Sequence, residues 1–200
     1  MSDFSTAFAF FIPYEDPEQT WAVNPDPCSK GKPGPCFAIA GINSSDWPQE
    51  FDSILGIPQA ERGPAILSFY DSKIWTPMGL VGVEAQDLAN RVLDEGVWSG
   101  PGTAVRLLQR AINSLQSVPA DLLAVDGLLG PESLAAVNEI AGDTAVMVYR
   151  QERVSYLQCL PMYRSAASIQ QVAYLKRASA YFPSGSVEWY RCWQEGYGHD

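Results

Sequence analysis

Histidine is almost absent from this sequence. The single one, His199, is the last but one of 200 residues. Ser-His-Asp and Cys-His hydrolases need a histidine as base, and Cys/His zinc sites need one as ligand. We therefore expect none of these sites, no His-Glu-x-x-His metalloprotease motif, and neither a metal nor another cofactor.

Positive charge is also scarce. The chain has 13 Lys and Arg against 23 Asp and Glu, which gives a net charge of −10. Nucleic-acid-binding proteins usually carry a basic stripe, so nucleic acid is not an expected partner. Recognition of an anionic wall or membrane would have to be short-range, by ring stacking and hydrogen bonds, because long-range attraction is missing.

Long hydrophobic runs are missing as well. The apolar run at residues 7–12 is ended by Pro13 and is preceded by Asp3, not by a basic residue. It is too short for a transmembrane helix and lacks the flank of a signal peptide. If the protein acts outside the cytosol, we expect another export route, or a chain that is part of a larger delivered protein.

The four cysteines include no Cys-x-x-Cys pair. Cys28 and Cys36 flank a loop rich in Gly and Pro, which a disulfide between them could close, and Cys159 with Cys192 could fix the C-terminal segment. An even number of cysteines is typical of disulfides in a protein that works in an oxidising compartment. Four reduced cysteines are the alternative.

The hydrophobic pattern predicts a mostly α protein with one small β element. Residues 1–13 are expected to be extended, Asp16-Pro17 to start a helix, 24–36 to be a loop and 37–42 a short buried strand. Helices dominate thereafter, and the tail with Trp189, Tyr190 and Trp193 is expected to dock on the body. The expected helices cover residues 46–55, a stretch from Pro58, 83–95, 101–116, 131–140, 143–160 and 165–181. We expect one compact domain, residues 1–200.

Five blocks of sequence carry a family likeness. The first runs from Glu18 through Trp21 and Asn24-Pro25-Asp26-Pro27 to Gly41-Ile42. The others are 70–75, 93–100, Leu108-Gln109-Arg110-Ala111 and the Asp-Gly…Gly-Pro turn at 126–131. In order and spacing these blocks resemble the glycoside hydrolase family 108 muramidases, lysozyme-like endolysins with a C-terminal predicted peptidoglycan-binding segment. The chain departs from the family at several points: Gln19-Thr20 replaces a Gly-Gly pair, Ala38 stands near the place of a missing Thr, the loop at 28–36 is longer, and Trp98 replaces an Asn.

The resemblance implies an α+β lysozyme-like fold, a helical bundle with a small β-hairpin beside an active-site cleft. The catalytic strip would lie at about residues 14–45, and a wall-binding helical part at about 120–200. The implied activity is that of a muramidase, which cleaves the β-1,4 bond between N-acetylmuramic acid and N-acetylglucosamine in peptidoglycan glycan strands. A phage lysis system or a bacterial antagonism system would deliver the protein to the wall of a target bacterium. An immunity protein would be a further partner.

Glycosidic cleavage needs a proton donor and stabilisation of an oxocarbenium-like centre. The resemblance makes Glu18 the donor, shielded by Trp21, with Glu15 and Asp16 as nearby alternatives; an acid at this point could equally be a capping residue. The second carboxylate would be Asp26 or Asp94, although Asp94 also suits a structural role at a helix end. Substrate contacts are expected from four side chains: Trp21, Asn43, Trp75 and Trp98. For Asn43 turn chemistry, and for Trp75 and Trp98 core packing, would explain the residue as well.

Two other functions stay open at the level of sequence. A lytic transglycosylase also uses a single Glu and would leave anhydro-muramic ends instead of reducing ends. A non-catalytic wall-binding module would use the segment at 126–131 and would need no proton donor at all.

Overall fold

The structure, a computed structural model, describes residues 1–28, 32–116 and 122–160. The chain divides into two compact units, Met1–Ala104 and Val105–Asp200. Helices dominate and a single small antiparallel sheet is found in the described ranges, so the predicted mostly α, α+β fold class is confirmed. Within those ranges no helix combines the length and apolar character that crossing a membrane requires.

The chain begins with helix α1, Phe4–Glu15, where we expected an extended segment. Asp3 caps the helix, because its carboxylate accepts hydrogen bonds from the Thr6 backbone N–H and hydroxyl, both at 2.8 Å. An apolar run of this length fits a buried helix and a buried strand equally well, and the cap favours the helix. The helix start predicted at Asp16-Pro17 is therefore wrong: α1 ends there, and Asp16 is its C-terminal cap.

A three-stranded antiparallel sheet follows, with strands β1 (Val23–Asp26), β2 (Cys36–Ile39) and β3 (Ile42–Asn43) in the order β1-β2-β3. The predicted strand at 37–42 is in fact two strands joined by a turn, and part of the predicted loop is β1. Pro25 is typical of a loop, yet it lies in β1. This is possible because β1 is an edge strand of the sheet, and an edge strand tolerates a residue without a backbone N–H.

The turn between β2 and β3 is a two-residue hairpin loop, Ala40-Gly41. Both residues have positive φ, +48° and +81°, and Ile39 pairs with Ile42 across the turn. Two central residues with positive φ define the hairpin turn that matches strand twist, and Asn-Gly is its usual sequence. Alanine is an uncommon choice at the first position, so contacts from elsewhere must hold this turn.

The rest of the first unit is helical. Helix α2 (Pro48–Leu55) confirms the predicted helix at 46–55, and α5 (Gln86–Ser99) the one at 83–95. Between them lie α3 (Gly63–Tyr70), which starts five residues after Pro58, a π-helical turn at Asp71–Trp75, the short α4 (Thr76–Met78) and two 3-10 turns, Gln59–Glu61 and Leu80–Gly82. Helix α1 packs against α5. The fully buried core includes these side chains from α1, α3 and α5: Ala7, Phe11, Ile66, Leu88 and Val92.

Helix α6, Pro101–Asn113, contains the boundary between the units. The second unit continues with α7 (Pro131–Asn138) and α8 (Gly142–Cys159), which confirm the predicted helices at 131–140 and 143–160. The helix predicted at 165–181 and the tail with Trp189, Tyr190 and Trp193 lie outside the described residues.

Candidate functional site

Three acidic side chains stand close together where α1 ends, and their surroundings differ. Asp16 is buried, and its carboxylate accepts hydrogen bonds from the backbone N–H groups of Thr20 (3.2 Å) and Trp21 (2.7 Å). Glu18 is exposed on the following turn and lacks the shielded surroundings expected for it. Glu15, the last residue of the helix, is half-buried. Asp16 thus organises the turn, and Glu15 is the half-buried acid of these three.

Glu15 reaches the turn between β2 and β3. A Cβ atom added to Gly41 would lie 2.7 Å from Glu15 Oε2 and 2.9 Å from the hydroxyl of Tyr70. That hydroxyl also donates a hydrogen bond to the carbonyl of Ala40 at 2.6 Å and thereby fixes the turn. Two oxygens from different helices therefore meet at a position where only glycine leaves room for them. Because Gly41 is itself exposed, the carboxyl lies beside solvent-accessible surface.

The chain from Asp16 to Trp21 is held by the segment between α2 and α3. Buried Arg62 donates hydrogen bonds to three carbonyls, those of Leu55 (3.2 Å), Ile57 (3.0 Å) and Trp21 (2.8 Å). The ring of Trp21 lies against Gly63, whose added Cβ would be 3.3 Å from the indole nitrogen. The ring predicted to shield Glu18 is thus engaged with α3. Gln19 and Trp21 both have positive φ, +49° and +54°.

Asp26 closes strand β1 and is tied to β3. Asn43 donates hydrogen bonds to Asp26 Oδ2 at 2.7 Å and to the carbonyl of Pro27 at 2.9 Å. The side-chain oxygen of Asn43, Oδ1, accepts hydrogen bonds from the backbone N–H and the hydroxyl of Ser45, both at 2.7 Å. Asn43 is buried, so its predicted contact with a substrate acetamido group is replaced by a role in holding Asp26.

Strand register relates Asp26 to the turn beside Glu15. Val23 pairs with Ile39, the residue before Ala40-Gly41. Asp26 pairs with Cys36, which lies three residues before Ile39 in β2. Three residues of strand span about 10 Å. The sheet therefore holds one carboxylate near each end of β2: Asp26 at its start and Glu15 at the turn that follows its end.

The structure contains the disulfide predicted between Cys28 and Cys36. An added Cβ at Gly34 would lie 2.6 Å from Cys28 Sγ, so the loop packs tightly on the bridge. The second predicted pair includes Cys192, which lies outside the described residues; its partner Cys159 is half-buried.

The remaining predicted site residues lie on the helices. Trp75 is 3% exposed and packs against Phe4, with ring centroids 5.7 Å apart, so it has no open face for a sugar. Asp94 is 1% exposed within α5, in agreement with the structural role weighed for it. Trp98 is half-buried near the C-terminal end of the same helix.

A groove of about 390 Å³ separates α2 from α3 and the π-helical turn. Phe69 and Ile54 form its buried floor, and Lys73 crosses its rim to Glu50, with 2.8 Å between Nζ and Oε1. The hydrogen bond from Lys73 lowers the pKa of Glu50 below its usual value. The ring of Trp47 meets Phe69 edge-on at 5.1 Å between centroids. No predicted site residue lines this groove.

The sequence matches no family model and no curated protein. Among solved structures, SagA of Brucella abortus is similar to this chain, with a TM-score of 0.57 and 20% sequence identity. The match covers 88% of this chain and 94% of that one. At this identity the likeness concerns the fold, and it agrees with the predicted lysozyme-like fold class.

In the sequence Glu15 ranks second to Glu18, because Glu18 matches the acid of the muramidase motif and residues 1–13 are expected to be extended. A helix ending at residue 15 turns Glu15 into a helix-terminal acid beside the hairpin. The signal for this was present: Asp3 precedes Thr6 by three residues at the start of the apolar run, which is the spacing of an N-cap.

Proposed function

We propose that this chain hydrolyses the glycan strands of peptidoglycan and that Glu15 supplies the proton to the glycosidic oxygen. The observation that carries the proposal is the half-buried Glu15 carboxyl, held at an exposed glycine turn beside the Tyr70 hydroxyl. A general acid of a glycosidase needs partial shielding from water and a path to the sugar, and this position offers both.

The position of Glu15 in the helix supports the same role. Carbonyl groups at the C-terminal end of a helix present partial negative charge. Glu15 stands at that end of α1 and is half-buried, whereas Glu18 is exposed on the turn. A general acid of a glycosidase needs such shielding from water. We propose Glu15 in place of Glu18 for this reason.

Asp26 is the proposed second carboxylate. Its cross-strand partner Cys36 begins β2, and the turn beside Glu15 follows the end of β2, so the two acids belong to one small sheet and its hairpin. In this proposal Asp26 orients or deprotonates an attacking water, as the second carboxylate of an inverting glycosidase does. Asp94 is not proposed, because it is buried within α5.

The bond cleaved, between N-acetylmuramic acid and N-acetylglucosamine, rests on the resemblance to the muramidases. So does the place of action, the wall of a target bacterium reached as a delivered toxin domain or an endolysin. The disulfide between Cys28 and Cys36 supports an oxidising compartment.

Digestion of purified peptidoglycan, followed by mass spectrometry of the products, tests the proposal. The expected products carry reducing muramic acid ends, and Glu15→Gln abolishes them while leaving sedimentation with the wall unchanged. Anhydro-muramic ends would identify a lytic transglycosylase instead. Absence of any soluble fragment from the wild type, with binding retained, would leave wall binding as the function.

Wall binding is the second candidate, and the second unit supplies the observation that favours it. The buried side chain of Gln109 donates hydrogen bonds to Asp126 (2.8 Å) and to the carbonyl of Leu128 (3.0 Å). This holds the loop in a form that leaves Leu128 69% exposed, next to exposed Val125. Such a surface could contact a wall component. Leu128→Ser should then weaken sedimentation with the wall and leave the turnover of a soluble glycan unchanged.

A further inference from the structure

Strand β1 ends in a covalent closure. Asp26 is the cross-strand partner of Cys36, and Cys28, two residues after Asp26, forms the disulfide with Cys36. The disulfide therefore closes the ladder directly beside the carboxylate that we propose as the second group of the site.

Asn43 forms a second link at the same place. Its amide group donates to both Asp26 Oδ2 and the Pro27 carbonyl, so one buried side chain joins β3 to the last residue of β1 and to the residue after it. The Asp26 carboxylate is held by Asn43, and the backbone that carries Asp26 is held by the disulfide. Asn43 thus holds the carboxylate and the backbone that follows it, and the disulfide adds a covalent link to that backbone.

We infer that the disulfide between Cys28 and Cys36, acting with Asn43, positions Asp26, so that the site works at full rate only while the disulfide is intact. The inference rests on the proposed function and adds a redox dependence to it. An enzyme of this kind would be slow in a reducing cytosol and fast at an oxidised wall.

Reduction is a two-electron step with a dithiol as reductant. One dithiol thiolate attacks a sulfur of the bridge, the S–S bond breaks and a mixed disulfide forms. The second thiol then displaces the remaining protein sulfur. Cys28 and Cys36 end as two thiols, and the dithiol becomes a cyclic disulfide. The covalent cross-link beside Asp26 is then lost, and at this end β1 is held to β2 only by hydrogen bonds and by the connecting loop.

The test is a double-mutant cycle on glycan hydrolysis, with kcat measured for the wild type and for Asp26→Asn, each with and without dithiothreitol. Reduction should lower kcat of the wild type about tenfold or more, since small displacements of a positioned group slow catalysis strongly. KM should stay unchanged. Reduction should leave kcat of Asp26→Asn as it is, because the group on which the disulfide acts is already removed.

Cys159→Ser provides the matched control, because it removes a cysteine outside the bridge. Its kcat should respond to reduction like that of the wild type. Circular dichroism of the reduced protein should show the helix content retained. Cys28→Ser/Cys36→Ser should reproduce the reduced wild type without any reductant.

An equal loss of kcat in the wild type and in Asp26→Asn would overturn the inference, because it would mean general loosening of the fold. An unchanged kcat of the reduced wild type would overturn it too. If the kcat of Asp26→Asn is too low to measure, the comparison of oxidised and reduced wild type is the deciding one. A wild type that is inactive even when oxidised would contradict the proposed function instead, so the two failures are distinct.

Discussion

Gly41 is the residue on which the geometry around Glu15 depends most directly. Its φ of +81° suits the hairpin turn, and its missing side chain leaves space for Glu15 Oε2 and the Tyr70 hydroxyl. Gly41 is thus required for two reasons, its positive φ and the space that its missing side chain leaves. Gly100 shares only the first, since it has a φ of +91° and nothing within 4 Å of an added Cβ. Substitutions at the two glycines therefore distinguish the effect of backbone strain from the effect of filled space.

Gly41→Ala should lower glycan hydrolysis at least about tenfold, because the new methyl group displaces the Glu15 carboxyl. Gly100→Ala should cost about 1–2 kcal/mol of unfolding free energy through backbone strain and leave activity near that of the wild type. Initial rates and chemical denaturation of both variants provide the comparison. Equal activity in the two variants would show that the space at Gly41 has no bearing on the reaction.

At the scale of elements, the segments that the sequence predicted well carry clear local signals. The helix after Asp46-Trp47-Pro48 begins at a proline, and α8 spans 18 residues with a helical apolar pattern. Of the two segments predicted wrongly, α1 carries a local signal in its Asp3 cap, whereas β1 is decided by contacts. Strand β1 contains Pro25, and its pairing with β2 determines its conformation.

The candidate site shows the same division. The cysteine spacing around a Gly- and Pro-rich loop indicated the disulfide, and the family likeness indicated the stretch that contains Asp26. Neither indicated that Asn43 would hold Asp26, because that contact spans 17 residues and depends on strand register. The choice between Glu15 and Glu18 depends on where α1 ends, and helix ends are difficult to locate from sequence.

The loop after α6 gives a prediction about pH. The hydrogen bond from the Gln109 amide, followed by that from the Leu128 backbone N–H, lowers the pKa of Asp126. A lowered pKa in the folded state stabilises the protein above the ordinary Asp value, near pH 4. The contribution falls as the pH drops through the folded-state pKa.

Gln109→Ala should raise the pKa of Asp126 toward its ordinary value and reduce the loss of stability between pH 7 and pH 3. At pH 7 it should lower the free energy of unfolding, because the loop at Asp126–Leu128 loses its hydrogen bonds to the buried Gln109 side chain. Denaturant unfolding at both pH values measures this, with exposed Gln116→Ala as the control. An unchanged pH dependence in Gln109→Ala would contradict the role given to Gln109.

At the scale of the whole molecule, the net charge of −10 sets how the chain meets its substrate. Intact bacterial walls carry anionic polymers, and like charges slow association at low ionic strength. Hydrolysis of intact walls should therefore speed up several-fold between about 0.01 and 0.15 M salt, as the Debye length falls from about 30 to 8 Å. Hydrolysis of a short uncharged glycan should not change. Slower wall hydrolysis with added salt would indicate an attractive, basic contact surface instead.

The rates of Glu15→Gln and Glu18→Gln on purified peptidoglycan, measured side by side, test the central claim most directly. Both substitutions remove one carboxylic acid at nearly constant size, and the two positions are three residues apart. We expect Glu15→Gln to be slower than the wild type by about 10²–10⁴, the usual contribution of a general acid. Glu18→Gln should stay within about twofold, as surface substitutions do. Loss of activity in Glu18→Gln with activity retained in Glu15→Gln would contradict the assignment of the proton donor.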